Sequence, residues 1–351
     1  MSDVAGDMPG EAALPPGWAG VAVALALLLV GCVLVSLCVG RFAVSPQRAA
    51  EVLWQALVAP GRAVEAMDER IVLLVRTPRV VLAALAGAAL AITGAALQGV
   101  FRNPLVSPEV LGISQGAAFG GALAILVGIW GLPLLGLVFA AGLSALVFVG
   151  LIARVDGRTE IITVILSGMV VGSLFSALLS LIQFVADPNS SLPAIVYWLM
   201  GSFATATWER VLIAAPVLLA GLGLLWSMRF RLNILSLDDG EARSLGARPD
   251  LERWIVFALV ALVVGSQVAV SGIVGWVGLV IPHATRLVVG HDHRRLLPAS
   301  ALLGAGFMVV IDTLARTATA AEIPLGVLTA IVGAPVFAVL LRRHFGEKSH
   351  S

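Results

Sequence analysis

Long apolar stretches alternate with short polar ones along this chain, and the alternation predicts a bundle of membrane-spanning helices. The first stretch, Trp18 to Gly40, runs 23 residues without a charge. A helix needs roughly 20 such residues to cross the hydrocarbon of a bilayer. Comparable stretches predict spans near 80–100, 108–129, 131–152, 161–184, 208–228, 254–271, 273–289, 298–315 and 325–341, ten in all. Residues 193–207 are apolar but too short to cross, and read as a re-entrant or interfacial piece. An even number of spans returns both termini to one side. The pattern therefore describes one transmembrane domain over 18–343, with a polar segment at 232–248 and short tails at 1–17 and 344–351.

Composition strengthens the membrane reading. The chain of 351 residues is 59% hydrophobic and 12% charged, whereas a soluble domain carries about 25% charged residues. In lipid only helices and closed barrels satisfy their backbone, and the ten-residue alternation of a barrel strand is absent. The fold class is all-α and polytopic. The first 17 residues hold Asp3, Asp7 and Glu11 without Lys or Arg, so Trp18–Gly40 reads as a retained span and not a signal peptide. The net charge of +1 argues against a nucleic-acid partner. Cys32 and Cys38 lie about 240° apart around one helix and read as free buried thiols.

Charge placement predicts orientation. With both termini inside, the inner side receives fourteen basic residues, among them Arg102, Arg154, Arg158, Arg253 and Arg286; the outer side receives eight. Basic residues concentrate on the cytoplasmic side of membrane proteins. The outer set clusters in 41–79, which also holds Glu51, Glu65, Asp68 and Glu69 and predicts a folded external cap.

Several chemistries find no support. No G-x-x-x-x-G-K-[ST] occurs, so ATP is not bound here in a P-loop. Ser167-Gly168 and Ser271-Gly272 lack the first glycine of an intramembrane serine hydrolase motif. His291-Asp292-His293 reads as a solvated loop and not a metal site. Charges within the spans are few, with Asp312, Arg316 and Glu322 near one helix end as the main ones. An ion-coupled secondary carrier, the alternative of another class, would show a carboxylate near mid-membrane.

Two polar clusters remain. Arg76 and Arg79 flank Thr77-Pro78 at the outer mouth of the second span, and Arg316 lies at the outer end of the ninth. They serve either as interfacial anchors or as a docking site for carboxylates, which Arg binds bidentately. On the inner side, Leu232–Gly246 alternates Leu235, Leu237 and Leu245 with charges. It suits either the bilayer surface or a groove on a cytoplasmic protein. Gly87, Ala91, Gly94 and Gln98 share one helix face, where Gln98 is either interhelical glue or a pore-side amide.

These segments together resemble the FecCD-like permeases, the transmembrane subunits of ABC importers for iron–siderophore complexes, haem and cobalamin. The resemblance runs from Arg76 to Arg342. It rests on Arg76-x-Pro-Arg79, Gly94-Ala-Ala-Leu-Gln98, Arg102-Asn-Pro-Leu105, Pro108-x-x-Leu-Gly-Ile-Ser-x-Gly-Ala117 and Tyr197-Trp-Leu-Met-Gly201. Further along it rests on Val277-Gly-Leu-Val-Ile-Pro-His283, Asp312-x-x-Ala-Arg316, Glu322-Ile-Pro-Leu-Gly326 and Gly333-Ala-Pro335.

The resemblance implies a type II ABC importer architecture in a bacterial inner membrane, both termini cytoplasmic. It implies a homodimer around a translocation path, two cytoplasmic P-loop ATPase subunits that carry the ATP and magnesium, and a periplasmic binding protein. This chain would bind no cofactor or metal itself. Arg76, Arg79 and Arg316 would meet acidic residues of the binding protein. Asn233, Leu235, Leu237, Asp238, Asp239, Glu241, Arg243, Leu245 and Gly246 would couple to the ATPase. Relatives usually read Leu-Gly-Glu where this chain has Leu237-Asp238-Asp239-Gly240, so that contact is built differently in detail. Gln98, Asn103, Ile161 and Ile162 are candidates for the path or its gate, the isoleucines as a constriction that closes by dewetting. An iron chelate is the first expectation for cargo, with cobalamin or an oxyanion such as molybdate as alternatives on the same machinery.

Overall fold

A computed structural model describes residues 17–59, 64–154 and 160–348. The tail at 1–16 and the counted basic residues Arg62 and Arg158 lie outside them. Among the described residues all regular structure is helical.

Helix α1 (Trp18–Cys38) is followed by a short amphipathic α2 (Pro46–Val58) and the long α3 (Met67–Val100). Then come α4 (Ile113–Leu126), α5 (Leu132–Ala153), α6 (Ile161–Val185) and a short α7 (Ser191–Leu199). Helix α8 (Trp208–Ser227) leads into two short helices, α9 (Arg229–Leu235) and α10 (Asp239–Ser244). The chain closes with α11 (Pro249–Ser271), α12 (Val277–Val289), α13 (His293–Thr317) and α14 (Leu325–Lys348). Seven helices are long and apolar enough to cross a membrane, and α4, α12 and α14 are shorter apolar ones. These ten correspond to the ten expected spans.

The start of the second span and the C-terminal tail differ from expectation. The second span begins at Met67 and not at residue 80, so Arg76 and Arg79 lie within a helix and not in a cap. The cap itself is α2, whose N-terminus is capped by Ser45 Oγ accepting from Arg48 N–H. Arg48 ties it to Asp68 and Glu69, while Val44, Ala49, Val52 and Val72 close a small core beneath. The predicted C-terminal tail from 344 is helical as far as Lys348.

Helix α3 is the centre of the bundle: nearly every side chain from Leu82 to Val100 is buried, against α13, α12, α11 and α8. Small residues make this possible. A Cβ on Gly94 would lie 1.8 Å from the Gly278 carbonyl oxygen of α12, and one on Gly87 would lie 2.1 Å from that of Gly304 on α13. Without a hydrophobic driving force between helices in lipid, close backbone contact supplies the association energy.

Candidate docking, coupling and translocation sites

At one end of α3, residues Ile71–Arg76 form a turn of wider π-helix ahead of Pro78. Proline offers no N–H and its ring crowds the carbonyl four residues back, and the widened turn accommodates both. Arg76 then reaches α1, where its guanidinium donates to the carbonyls of Leu37 (2.6 Å), Cys38 (3.0 Å) and Phe42. Arg316, from α13, donates to Val39 O at 2.7 Å, to Ser36 O, and to Ser36 Oγ at 3.0 Å. A helix ends with four unsatisfied carbonyls and the negative end of its dipole. Two arginines from two different helices therefore cap α1. Gly40 lets them converge: a Cβ there would lie 2.5 Å from Arg76 Nη2 and 2.9 Å from Arg316 Nη1.

Arg79 turns the other way. Its Nε donates to both Asp312 oxygens at 2.9 Å, and its Nη atoms form a parallel fork with the Glu322 carboxylate, also at 2.9 Å. Asp312 is fully buried, with Arg316 Nε 3.8 Å away. The three arginines are thus 4%, 7% and 9% exposed and occupied within the chain. They do not form the open patch that docking of a partner's carboxylates on them required. In this conformation they join α1, α3 and α13 to one another within the chain, a role distinct from both the interfacial anchoring and the docking that spacing left open.

At the opposite end, roughly 36 Å away by the rise of Thr77–Val100, α9 and α10 form a bracket. Leu232, Leu235 and Ala242 are its buried feet. Asn233 Nδ2 donates to Asp292 at 2.7 Å, and its Oδ1 accepts from His293 N–H at 2.9 Å. Asp292 also caps α13 by accepting from Arg294 N–H. Burial opposes ionisation of Asp292, but hydrogen bonds from Arg294 and Asn233 outweigh it and hold the carboxyl down to about 2. His291-Asp292-His293 is thus a helix start, and no cluster of metal-ligating side chains occurs among the described residues.

Asp239 is the keystone of the bracket. Arg253, almost fully buried on α11, donates to both its oxygens, and Arg102 donates to it at 2.7 Å and to Asp238 at 2.9 Å. The Arg253 hydrogen bonds, followed by that of Arg102, hold the Asp239 carboxyl below its ordinary range. Arg102 adopts φ of 52°, a left-handed conformation uncommon outside glycine. Asp239, which stands where relatives have Glu, latches the bracket to the ends of α3 and α11, and the extra acid Asp238 adds only an exposed contact to Arg102. Leu237, Glu241 and Leu245 recur every four residues and are exposed, as is Arg243, which faces Asp250 at 3.5 Å. Gly246 ends the segment at φ of 77°.

The path candidates separate. Gln98 is 3% exposed; its amide donates to Val106 O at 3.1 Å, and its Oε1 accepts from Arg286. It is interhelical glue, and no pore-side amide in this conformation. Asn103 closes the turn after α3, accepting from Leu105 N–H at 2.9 Å. Ile161 and exposed Ile162 line a cleft of about 330 Å³ with Asp239, Arg243 and Arg253, beside the bracket.

One residue escaped the sequence reading. The chain leaves α3 at Val100 and climbs back into the bundle, so that Glu109 sits in a single 3₁₀ turn, Pro108–Leu111. The place on Gly278 that a Cβ would fill touches both Pro108 Cδ and Leu90 O. Pro108 is therefore level with Leu90, roughly 15 Å above the end of α3, half of a hydrocarbon core about 30 Å thick. Gly112 packs on Gly168 and Gly172 of α6, which gives the same depth. The expected span 108–129 placed Glu109 at a membrane edge; the only sequence signal was the pair Pro104 and Pro108, too closely spaced for a helix to run through them.

Against known proteins, the model of the FecCD transport family matches residues 27–343. The chain belongs to that family. It is 43% identical over 329 residues to the molybdate import system permease protein MolB of Haemophilus influenzae, covering 93% of this chain and 96% of that protein. It is 42% identical over 269 residues to the cobalamin import system permease protein BtuC of Halobacterium salinarum, covering 76% and 72%. A solved structure described as an inward-facing conformation of an ABC transporter of the metal-chelate type superposes with a TM-score of 0.84 at 41% identity, covering 93% of this chain and 99% of that one. The chain is an ABC importer permease and a multi-pass membrane protein. Its family replaces the secondary-carrier alternative, which the mid-membrane Glu109 would otherwise have revived.

Proposed function

We propose that two copies of this chain form the translocation path of a binding-protein-dependent importer for an iron chelate. ATP is hydrolysed on separate cytoplasmic subunits docked against α9 and α10. The observation that carries the reading is the latched bracket. Buried Leu232, Leu235 and Ala242 and the Arg102–Asp239–Arg253 network tie it rigidly to α3 and α11, while Leu237, Glu241 and Leu245 stay free to enter a groove on a partner. Force applied there passes directly to the central helix. The Arg76 end then faces outward, and a loaded binding protein sits over it. Arg76, Arg79 and Arg316 hold that surface in shape, and docking is expected to draw on exposed neighbours such as Arg41 and Arg70. Both termini are cytoplasmic in this orientation.

Ferric-chelate uptake into proteoliposomes containing the permease, its ATPase and its binding protein tests the proposal. Uptake that depends on ATP and on the binding protein is expected; uptake by the permease alone down an ion gradient would refute it. A second reading, molybdate as cargo, is favoured by the relative named for molybdate, which matches over 93% of this chain. The same assay with labelled molybdate separates the two.

A further inference from the structure

We propose that Glu109 lines the aqueous translocation path at mid-membrane and keeps it negative, so that the path favours cationic or neutral metal complexes and slows oxyanions. This rests on the importer reading and deepens it toward cargo class.

Glu109 is open to solvent on one side of the isolated chain and crowded by protein on the other, and Pro108 and Gly112 on either side of it pack at the middle of the bundle. Among the described residues no ion pair or side-chain hydrogen bond reaches its carboxylate, and no Lys or Arg lies in the flanking stretch 103–153. It sits beside Gly275, where a Cβ would lie 3.1 Å from Glu109 Oε1. An unpaired carboxylate facing lipid at the bilayer centre is costly, and such groups face a water-filled cavity or a partner instead.

The surroundings fit a cavity. Glu109 lies on a re-entrant segment between α6 and the start of α12, and irregular backbone at this depth is tolerated where it lines water or is buried in protein. Gly275 and Trp276 interrupt the chain between α11 and α12, so a second stretch of non-helical backbone meets the first at the same level. Gln115 adds a buried oxygen without a hydrogen-bond partner one turn into α4, and it faces Gly172. In a symmetric pair of chains each copy contributes one carboxylate to the shared path. A ring of acidic side chains selects for cations.

The test has two arms, both on the complete complex in proteoliposomes. In the first, Glu109→Cys is made with Cys32 and Cys38 replaced by Ser, and a charged, membrane-impermeant thiosulfonate is applied. Labelling is expected to be more than about tenfold faster than at Leu219→Cys, an exposed control on α8, because hydrocarbon excludes the charged reagent by at least that factor. Equal, slow labelling at both positions would overturn the proposal. In the second arm, ATP-dependent uptake of a ferric trihydroxamate chelate bearing a free ammonium group is compared with uptake of molybdate. Glu109→Gln is expected to slow the cationic chelate about fivefold, the effect of one charge about 8 Å away at an effective dielectric of about 40, and Glu109→Asp to restore it. Molybdate uptake indifferent to Glu109→Gln would refute the charge role and leave the importer reading standing. ATP-dependent uptake of neither probe would sink the iron-chelate and molybdate readings of the cargo, while the labelling arm would still decide whether Glu109 faces water.

Discussion

The Arg79–Asp312–Glu322 cluster makes a quantitative prediction, because its three members differ in how replaceable they are. Arg79→Met removes the fork to Glu322 and both hydrogen bonds to Asp312. The fully buried Asp312 is left with Arg316 at 3.8 Å, and Arg316 is already occupied with the end of α1. Removing one partner of a buried ion pair costs about 3–5 kcal/mol, because the other charge stays buried without compensation. Asp312→Asn is milder. Arg79 keeps its bidentate partner Glu322, whose side chain is 27% exposed and able to relax. The loss is then about 1.5–3 kcal/mol, that of a hydrogen bond to a charged group. In the double variant no charge is stranded, since Glu322 can turn to water. Its destabilisation is expected to be no larger than that of Arg79→Met alone. Unfolding by SDS titration in mixed micelles, followed by circular dichroism, measures all three. Equal costs for the single variants, adding in the double, would show that the arginine is not the indispensable member.

Four further outcomes follow from the same geometry. Asp239→Asn should loosen the bracket, seen as faster amide exchange across 229–244 and as ATP hydrolysis uncoupled from uptake, because Arg102 and Arg253 lose their shared anchor. Gly94→Ala forces its methyl against the Gly278 carbonyl and should destabilise by about 1–3 kcal/mol in the same SDS titration. Gly240→Ala, with open space around it in a helical turn, should be neutral or stabilise by up to about 1 kcal/mol. Asp292 is held down to about 2 in the folded chain, below the ordinary carboxyl value of about 3.9. Its contribution is therefore present above about pH 4 and lost as pH falls toward 2. Amide exchange at the start of α13 should rise over that window in the parent and change less in Asp292→Asn.

The arginine cluster shows how far one chain of residues can be read without its fold. The spacing of Arg76 and Arg79 predicts a shared helical face, and the helix is there. The π-turn before Pro78 and the arrival of α1 and α13 send the two guanidiniums to different partners. Nothing local to residues 76–79 carries that information, since the partners lie 39 and 233 positions away. Gln98 illustrates the same limit. Its face was legible from the spacing of Gly87, Ala91, Gly94 and Gln98, but which of glue or pore it served depended on Gly278, Val106 and Arg286.

What the sequence determined by itself was the solvent of the chain, the number of crossings and the identity of its polar clusters. Apolar run length and charge density answer to the thickness and dielectric of the bilayer, which act on each segment independently. The tertiary structure decided which charges are buried and paired, because pairing is a property of two distant segments brought to one depth. It also decided where Glu109 lies. Hydropathy counts residues along the chain, and a segment that turns back into the membrane at Pro108 changes depth without changing hydropathy.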